Sequence, residues 1–98
     1  MIEELDGKLK YYLISLGFET EDIENLLELC PALADIDFEF AFANIQSVVK
    51  KGYPIEDIDA IIAVNPAFLT ADNKTLEKDL SALSGDIEEV LKKDPFLI

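Results

Sequence analysis

The sequence predicts an all-α fold: a short α-solenoid of about two and a half helical repeats, built from roughly six helices. Three observations carry that expectation. Apolar residues recur at helical spacing in six stretches, and no stretch reads convincingly as a strand. Gly17, Gly52, Pro31, Pro66 and Pro95 stand where those stretches end. An eight-residue block, Leu16-Gly17-Phe18-Glu19-Thr20-Glu21-Asp22-Ile23, is answered 35 residues on by Lys51-Gly52-Tyr53-Pro54-Ile55-Glu56-Asp57-Ile58.

The first helix is expected from about Ile2 to Leu16, where Ile2, Leu5, Leu9, Tyr12, Leu13 and Leu16 fall within about 100° of arc. Gly17 suits a left-handed C-cap, and Phe18 can then fold back on the last turn. A second helix, about Thr20 to Cys30, has Ile23, Leu26, Leu27 and Cys30 as its core face and stops because Pro31 disfavours α geometry before it. The third runs from about Asp37 to Lys50 with Phe38, Ala41, Phe42, Ile45, Val48 and Val49 on one side, and Gly52 ends it. The fourth, about Ile55 to Val64, turns Ile58, Ile61 and Ile62 inward before Pro66. The fifth, about Asn73 to Leu83, buries Leu76, Leu80 and Leu83. The last, about Gly85 to Lys93, presents Ile87, Val90 and Leu91 before Pro95.

Ile23, Leu26, Leu27 and Pro31 thus map onto Ile58, Ile61, Ile62 and Pro66, and a further shift of 29 residues gives Ile87, Val90, Leu91 and Pro95. One such helical pair cannot bury both of its faces, so neighbouring pairs must stack. The pattern Gly-aromatic, Glu-Asp-Ile, Leu-Leu, Pro-x-Leu resembles the repeats of the mitochondrial transcription termination factor (mTERF) family. That resemblance covers nearly the whole chain and implies repeats of two α-helices and a short 3₁₀ turn, wound into a curved superhelix. A single domain over residues 1–98 is expected, with repeats at about 1–36 and 37–71 and a truncated third at about 72–98. The last copy is six residues short of the period, like a terminal cap.

The resemblance also implies nucleic-acid binding along a basic concave surface, and here the composition pulls the other way. The chain carries 21 acidic residues against eight basic ones, a net charge of −13, and all eight are lysine. Phosphate binding draws on Lys and Arg that release counterions, and arginine makes the bidentate contacts to guanine. Nucleic acid is therefore the secondary expectation, and a protein partner or self-association the first. A weaker expectation is that the carboxylates mimic phosphate towards a nucleic-acid-binding protein. Glu21-Asp22, Glu56-Asp57 and Glu88-Glu89 near helix starts, and Lys50-Lys51 and Lys92-Lys93 near helix ends, complement helix dipoles.

No catalytic constellation is legible. With no histidine and one cysteine, neither a Cys–His nor a Ser–His pair can form, and an enzyme is not expected. Asp35-Ile36-Asp37-Phe38-Glu39 begins like a calcium loop, but Phe40 replaces the turn glycine and Gln46 stands where the bidentate glutamate belongs. Asp79-Leu80-Ser81 in an acidic helical chain suggests an acyl carrier, but Ser81 falls inside a helix rather than at its head. No metal or cofactor is expected. Cys30 shares its register with Asn65 and Asp94, one residue before each proline, and reads as a buried, inert thiol.

An acidic N-terminus unlike a targeting segment and the lack of an apolar run of ~18 residues point to a cytoplasmic protein without membrane contact. Tyr11, Ile14 and Phe40 are the candidate partner-facing residues. Tyr11 and Ile14 lie opposite the core stripe of the first helix, and Phe40 points about 160° from Phe38. Either they pack on neighbouring repeats, or they form an exposed patch that marks a homodimer or partner contact.

Overall fold

Asp6 decides where the first helix begins. The computed structural model describes residues 2–98, and in it α1 spans Gly7–Ser15, not the longer run from Ile2 that the apolar stripe suggests. Asp6 Oδ1 accepts from the backbone N–H of Lys8 at 3.1 Å, and its Oδ2 accepts from that of Phe38 at 2.7 Å. One carboxylate therefore caps α1 and ties it to the start of α3, while Ile2–Glu4 forms a separate 3₁₀ turn.

The other helices are α2 Thr20–Leu29, α3 Phe38–Lys50, α4 Ile58–Val64, α5 Asn73–Ala82 and α6 Ile87–Lys93, with no strand among the described residues. Two starts fall later than expected. After Pro54, residues Ile55–Asp57 form a 3₁₀ turn before α4. Asp86 caps α6 by accepting from Glu88 N–H at 3.0 Å, which leaves Gly85 outside the helix with φ +91°. Asp37 and Asp72 cap α3 and α5 in the same manner, accepting from Phe40 N–H at 2.9 Å and Thr75 N–H at 3.2 Å.

The glycine stops behave as expected. Gly17 has φ +103°, Gly17 N–H donates to Ile14 O, and Phe18 N–H reaches back to Leu13 O at 3.1 Å. Gly52, at φ +121°, repeats the pattern with Val49 O, while Tyr53 N–H bonds Val48 O. These are Schellman closures. They place Phe18 on α1 and bury Tyr53 against α3.

Each of Pro31, Pro66 and Pro95 heads a 3₁₀ turn, at Pro31–Asp35, Pro66–Thr70 and Pro95–Leu97. The chain therefore runs as three successive pairs of α-helices, each followed by such a turn, and measures 39 × 23 × 19 Å. Helix α3 is central: α1, α5 and the Pro66 turn all pack against it. The Pro31 and Pro66 turns pack on each other. One apolar core runs through all three pairs. Ile23, Leu26 and Leu27 of α2 are buried in it, as are Ile58, Ile61 and Ile62 of α4 and Ile87 and Leu91 of α6. Val90, expected in the core, is half-buried, as are Ile2, Tyr12, Leu16, Phe38, Phe42, Val49 and Leu83. Tyr12, Phe38 and Phe42 form an aromatic cluster across α1 and α3, with centroids 5.1–5.6 Å apart.

The turns after each proline leave carbonyl groups with no helical partner, and buried carbonyls need one. Asn44 of α3 supplies it for the Pro66 turn. Its Nδ2 lies 3.0 Å from Phe68 O, 3.1 Å from Leu69 O and 2.8 Å from Ala71 O. Asn73 Nδ2 donates in turn to Asn44 Oδ1 at 2.8 Å and to Ser47 Oγ at 3.1 Å, and Ser47 lies 3.2 Å from Glu77 Oε2. Asn44 has no solvent exposure at all. It takes the place held 35 residues earlier by Leu9, which is also fully buried. Asn44→Leu keeps the volume but strands those carbonyls, so it is expected to lower the unfolding free energy by about 2–3 kcal/mol and Tm by roughly 10–20 °C. Gln46→Leu, on the exposed side of the same helix, should stay within about 0.5 kcal/mol. Equal urea midpoints for the two variants would contradict this assignment.

Candidate interaction surface

Charge is divided between the two helices of each pair. Helices α1, α3 and α5 carry Lys8, Lys10, Lys50, Lys74 and Lys78 against Glu39, Glu77 and Asp79. Helices α2, α4 and α6 carry Glu21, Asp22, Glu24, Glu28, Asp59, Glu88 and Glu89 against Lys92 and Lys93. The net charge of −13 is therefore not spread evenly, and the second helices hold most of the helical share.

Within that acidic layer Lys92 is engaged twice. Its Nζ donates to Glu88 Oε2 at 2.7 Å and to Asp57 Oδ2 at 2.9 Å, joining α6 to the turn that precedes α4. On the other layer Lys8 Nζ stands 3.5 Å from Glu39 Oε1, an exposed pair of small energetic weight. Lys93 pairs with Glu89 at 3.6 Å.

Of the predicted partner-facing residues, Tyr11 is 74%, Ile14 44% and Phe40 41% exposed, so neighbouring helices do not cover them. Of the two alternatives left open by the sequence, packing on adjacent pairs does not agree with these exposures. The packing of α1 on α3 uses Tyr12, Phe38 and Phe42 and leaves Tyr11, Ile14 and Phe40 uncovered. Ile14 borders a groove. It lines a concavity of about 550 Å³ together with Gly17, Phe18, Glu19, Thr20 and Glu21. Gly17 and Phe18 also line a second concavity, of about 370 Å³, with Leu16, Asp22, Asn25, Leu26 and Leu29 on one side and Asp59, Ala60 and Ala63 on the other. The two concavities share Gly17 and Phe18, and the second, lined by residues of both α2 and α4, forms a trough between those helices. No lysine lines it. Tyr11 and Phe40 stand apart from it.

Sequence reasoning missed the trough, although one of its signals was present. Leu29, 66% exposed, falls outside the arc of Ile23, Leu26 and Leu27. Ala60 and Ala63 carry too little side chain to close the gap between the helices.

The residues before the prolines diverge from their shared register. Cys30 is a free, buried thiol with Sγ 4.0 Å from Thr70 Oγ1, in the Pro66 turn. Asn65 is buried, and its Nδ2 donates to Pro95 O at 2.8 Å and Ile98 O at 3.3 Å. Asp94 is exposed and caps its own turn, accepting from Phe96 N–H at 3.2 Å. The Asp35–Glu39 segment ends one turn and caps the next helix, and Ser81 lies inside α5, donating to Glu77 O at 2.9 Å. Among the described residues no group of three or more His, Cys, Asp or Glu is placed to hold a metal ion. No helix among them is long and apolar enough to cross a membrane.

Comparison of the chain with protein-family models, with curated proteins and with solved structures finds no match in any of the three.

Three titrations share one direction. Burial raises the phenols of Tyr12 and Tyr53 above the usual tyrosine value. The hydrogen bonds that Lys92 donates to the Glu88 and then the Asp57 carboxylate hold its ammonium above the usual lysine value. A folded value above the unfolded one gives stability that is whole below the unfolded value and is lost as pH rises through the folded value. Urea melts should therefore give a level unfolding free energy up to about pH 9.5 and a falling one above about pH 10. The double variant Tyr12→Phe/Tyr53→Phe should fall less steeply. A free energy that stays level through about pH 11 would contradict these environments.

Proposed function

We propose that this chain is a non-catalytic helical-repeat protein, a short α-solenoid of about two and a half mTERF-like repeats, which acts as a protein-interaction module. Its partner is a basic protein, with self-association as the other form of the same reading. The observation that carries it is the division of charge, with seven carboxylates facing two lysines on α2, α4 and α6. An acidic layer of this kind steers a cationic partner towards itself and repels polyanions. Exposed Tyr11, Ile14 and Phe40 add apolar area outside the core, the kind of surface that partner contacts use. The order of two α-helices and a 3₁₀ turn, met three times along the chain, supports the repeat architecture. A cytoplasmic setting agrees with a free thiol at Cys30.

One observation favours a second reading, nucleic-acid binding in the mTERF manner. The five lysines of α1, α3 and α5 outnumber the three carboxylates of those helices. Two measurements separate the readings. Immobilised protein should retain basic proteins at ~50 mM salt and release them at ~500 mM, where charge is screened within a few ångströms. Anisotropy of labelled duplex or single-stranded RNA should not change at micromolar protein and ~50 mM salt. A strictly monomeric mass with no protein retained would overturn the interaction reading, and a salt-sensitive rise in nucleic-acid anisotropy would put the second in its place.

A further inference from the structure

We propose that the trough between α2 and α4 is the seat of a cationic amphipathic helix, with its apolar side in the trough and its lysines or arginines along the acidic rim. The proposal rests on the interaction reading above and commits it to one place and one kind of occupant.

The trough has the chemistry of half an interface. Its apolar surface comes from Leu16, Phe18 and Leu29, and Leu29 is 66% exposed, more than any other leucine described. The concavity of about 370 Å³ falls in the size range that accepts a few large side chains. Ala60 and Ala63, one helical turn apart on α4, form a wall without bulk, so a second helix can come close to that backbone. The trough is open to solvent, so an occupant can enter it without the fold opening.

Charge selects the occupant. Asp22 stands on the α2 wall and Asp59 on the α4 wall, and Glu19 and Glu21 line the continuation past Phe18. Asp22 is held in place, because its Oδ2 accepts from the backbone N–H of Glu19 at 2.9 Å. A segment with apolar residues at i, i+3, i+4 and i+7 and cationic residues on both flanks meets apolar floor and carboxylate rim together. An acidic or neutral helix would fill the floor and leave the rim unpaired.

The test uses a fluorescein-labelled peptide of leucine and lysine, about four helical turns long, with leucines at i, i+3, i+4 and i+7, and a scrambled peptide of equal composition. The patterned peptide should bind the intact protein at ~50 mM salt at least ~10-fold more tightly than the scrambled one. Ala60→Trp, which fills the trough without altering charge, should weaken binding by ~10-fold or more at an unchanged circular dichroism spectrum. Ala63→Lys repeats the test with charge in place of bulk and should do the same. Asp59→Asn should weaken binding ~3-fold at low salt, with the difference vanishing as salt rises.

Equal binding of both peptides, unmoved by Ala60→Trp and Ala63→Lys, would overturn the trough while leaving the interaction reading in place. So would failure of the peptide to bind a protein that still captures basic partners. A doubling of mass that Ala60→Trp abolishes, without peptide binding, would identify a second copy of this chain as the occupant and overturn the cationic helix.

Discussion

A proline that ends a helix creates a debt of unpaired backbone groups, and in this protein a neighbouring element must supply their partners. Asn44 of α3 does so for the Pro66 turn, and Asn65, the residue that follows α4, does so for the Pro95 turn. These two side chains fix where each turn sits relative to the elements before it. Apolar burial supplies the driving force for stacking, but burial has no direction. The Asn44 amide fixes the turn of its own pair and is tied by Asn73 to α5, while the Asn65 amide reaches the turn of the next pair. Together these bonds set the register of the stack.

The surface follows from that arrangement. Because α3 packs against α1, α5 and the Pro66 turn, the first helices form a layer around it. The second helices α2 and α4 face each other across a trough instead of closing on one another. The carboxylates gather on those second helices, where they cap helix starts and face water at little cost, as Asp22 and Asp86 do. Helix capping alone therefore accounts for some of the acidity. It does not account for Leu29, whose side chain stays uncovered beside that acidic rim.

Much of the fold was legible in the sequence because it rests on periodic features. The core triplets beginning at Ile23 and Ile58, and the closures at Gly17 and Gly52, each express a local rule that the chain applies twice. Features set by long-range partners were not legible. Nothing local singles out Asn44, whose role depends on carbonyls 24 to 27 residues away. The apolar stripe from Ile2 reads as one helix, because nothing local reveals that Asp6 also holds Phe38. Around these helices, the angle of Tyr11, Ile14 and Phe40 away from the core stripe was legible, but whether neighbouring pairs cover them was not. The trough was not, because the spacing of α2 from α4 depends on packing elsewhere in the core.

The central claim is that the Asn44 amide is locked onto the Pro66 turn and holds the stack in register. Hydrogen exchange of side-chain amide protons, followed by NMR in uniformly ¹⁵N-labelled protein, tests it directly. The account predicts that the Asn44 Nδ2 protons exchange as slowly as the backbone amide of Ile45 in the core, far more slowly than those of exposed Gln46. Exchange of Asn44 at the rate of Gln46 would contradict it.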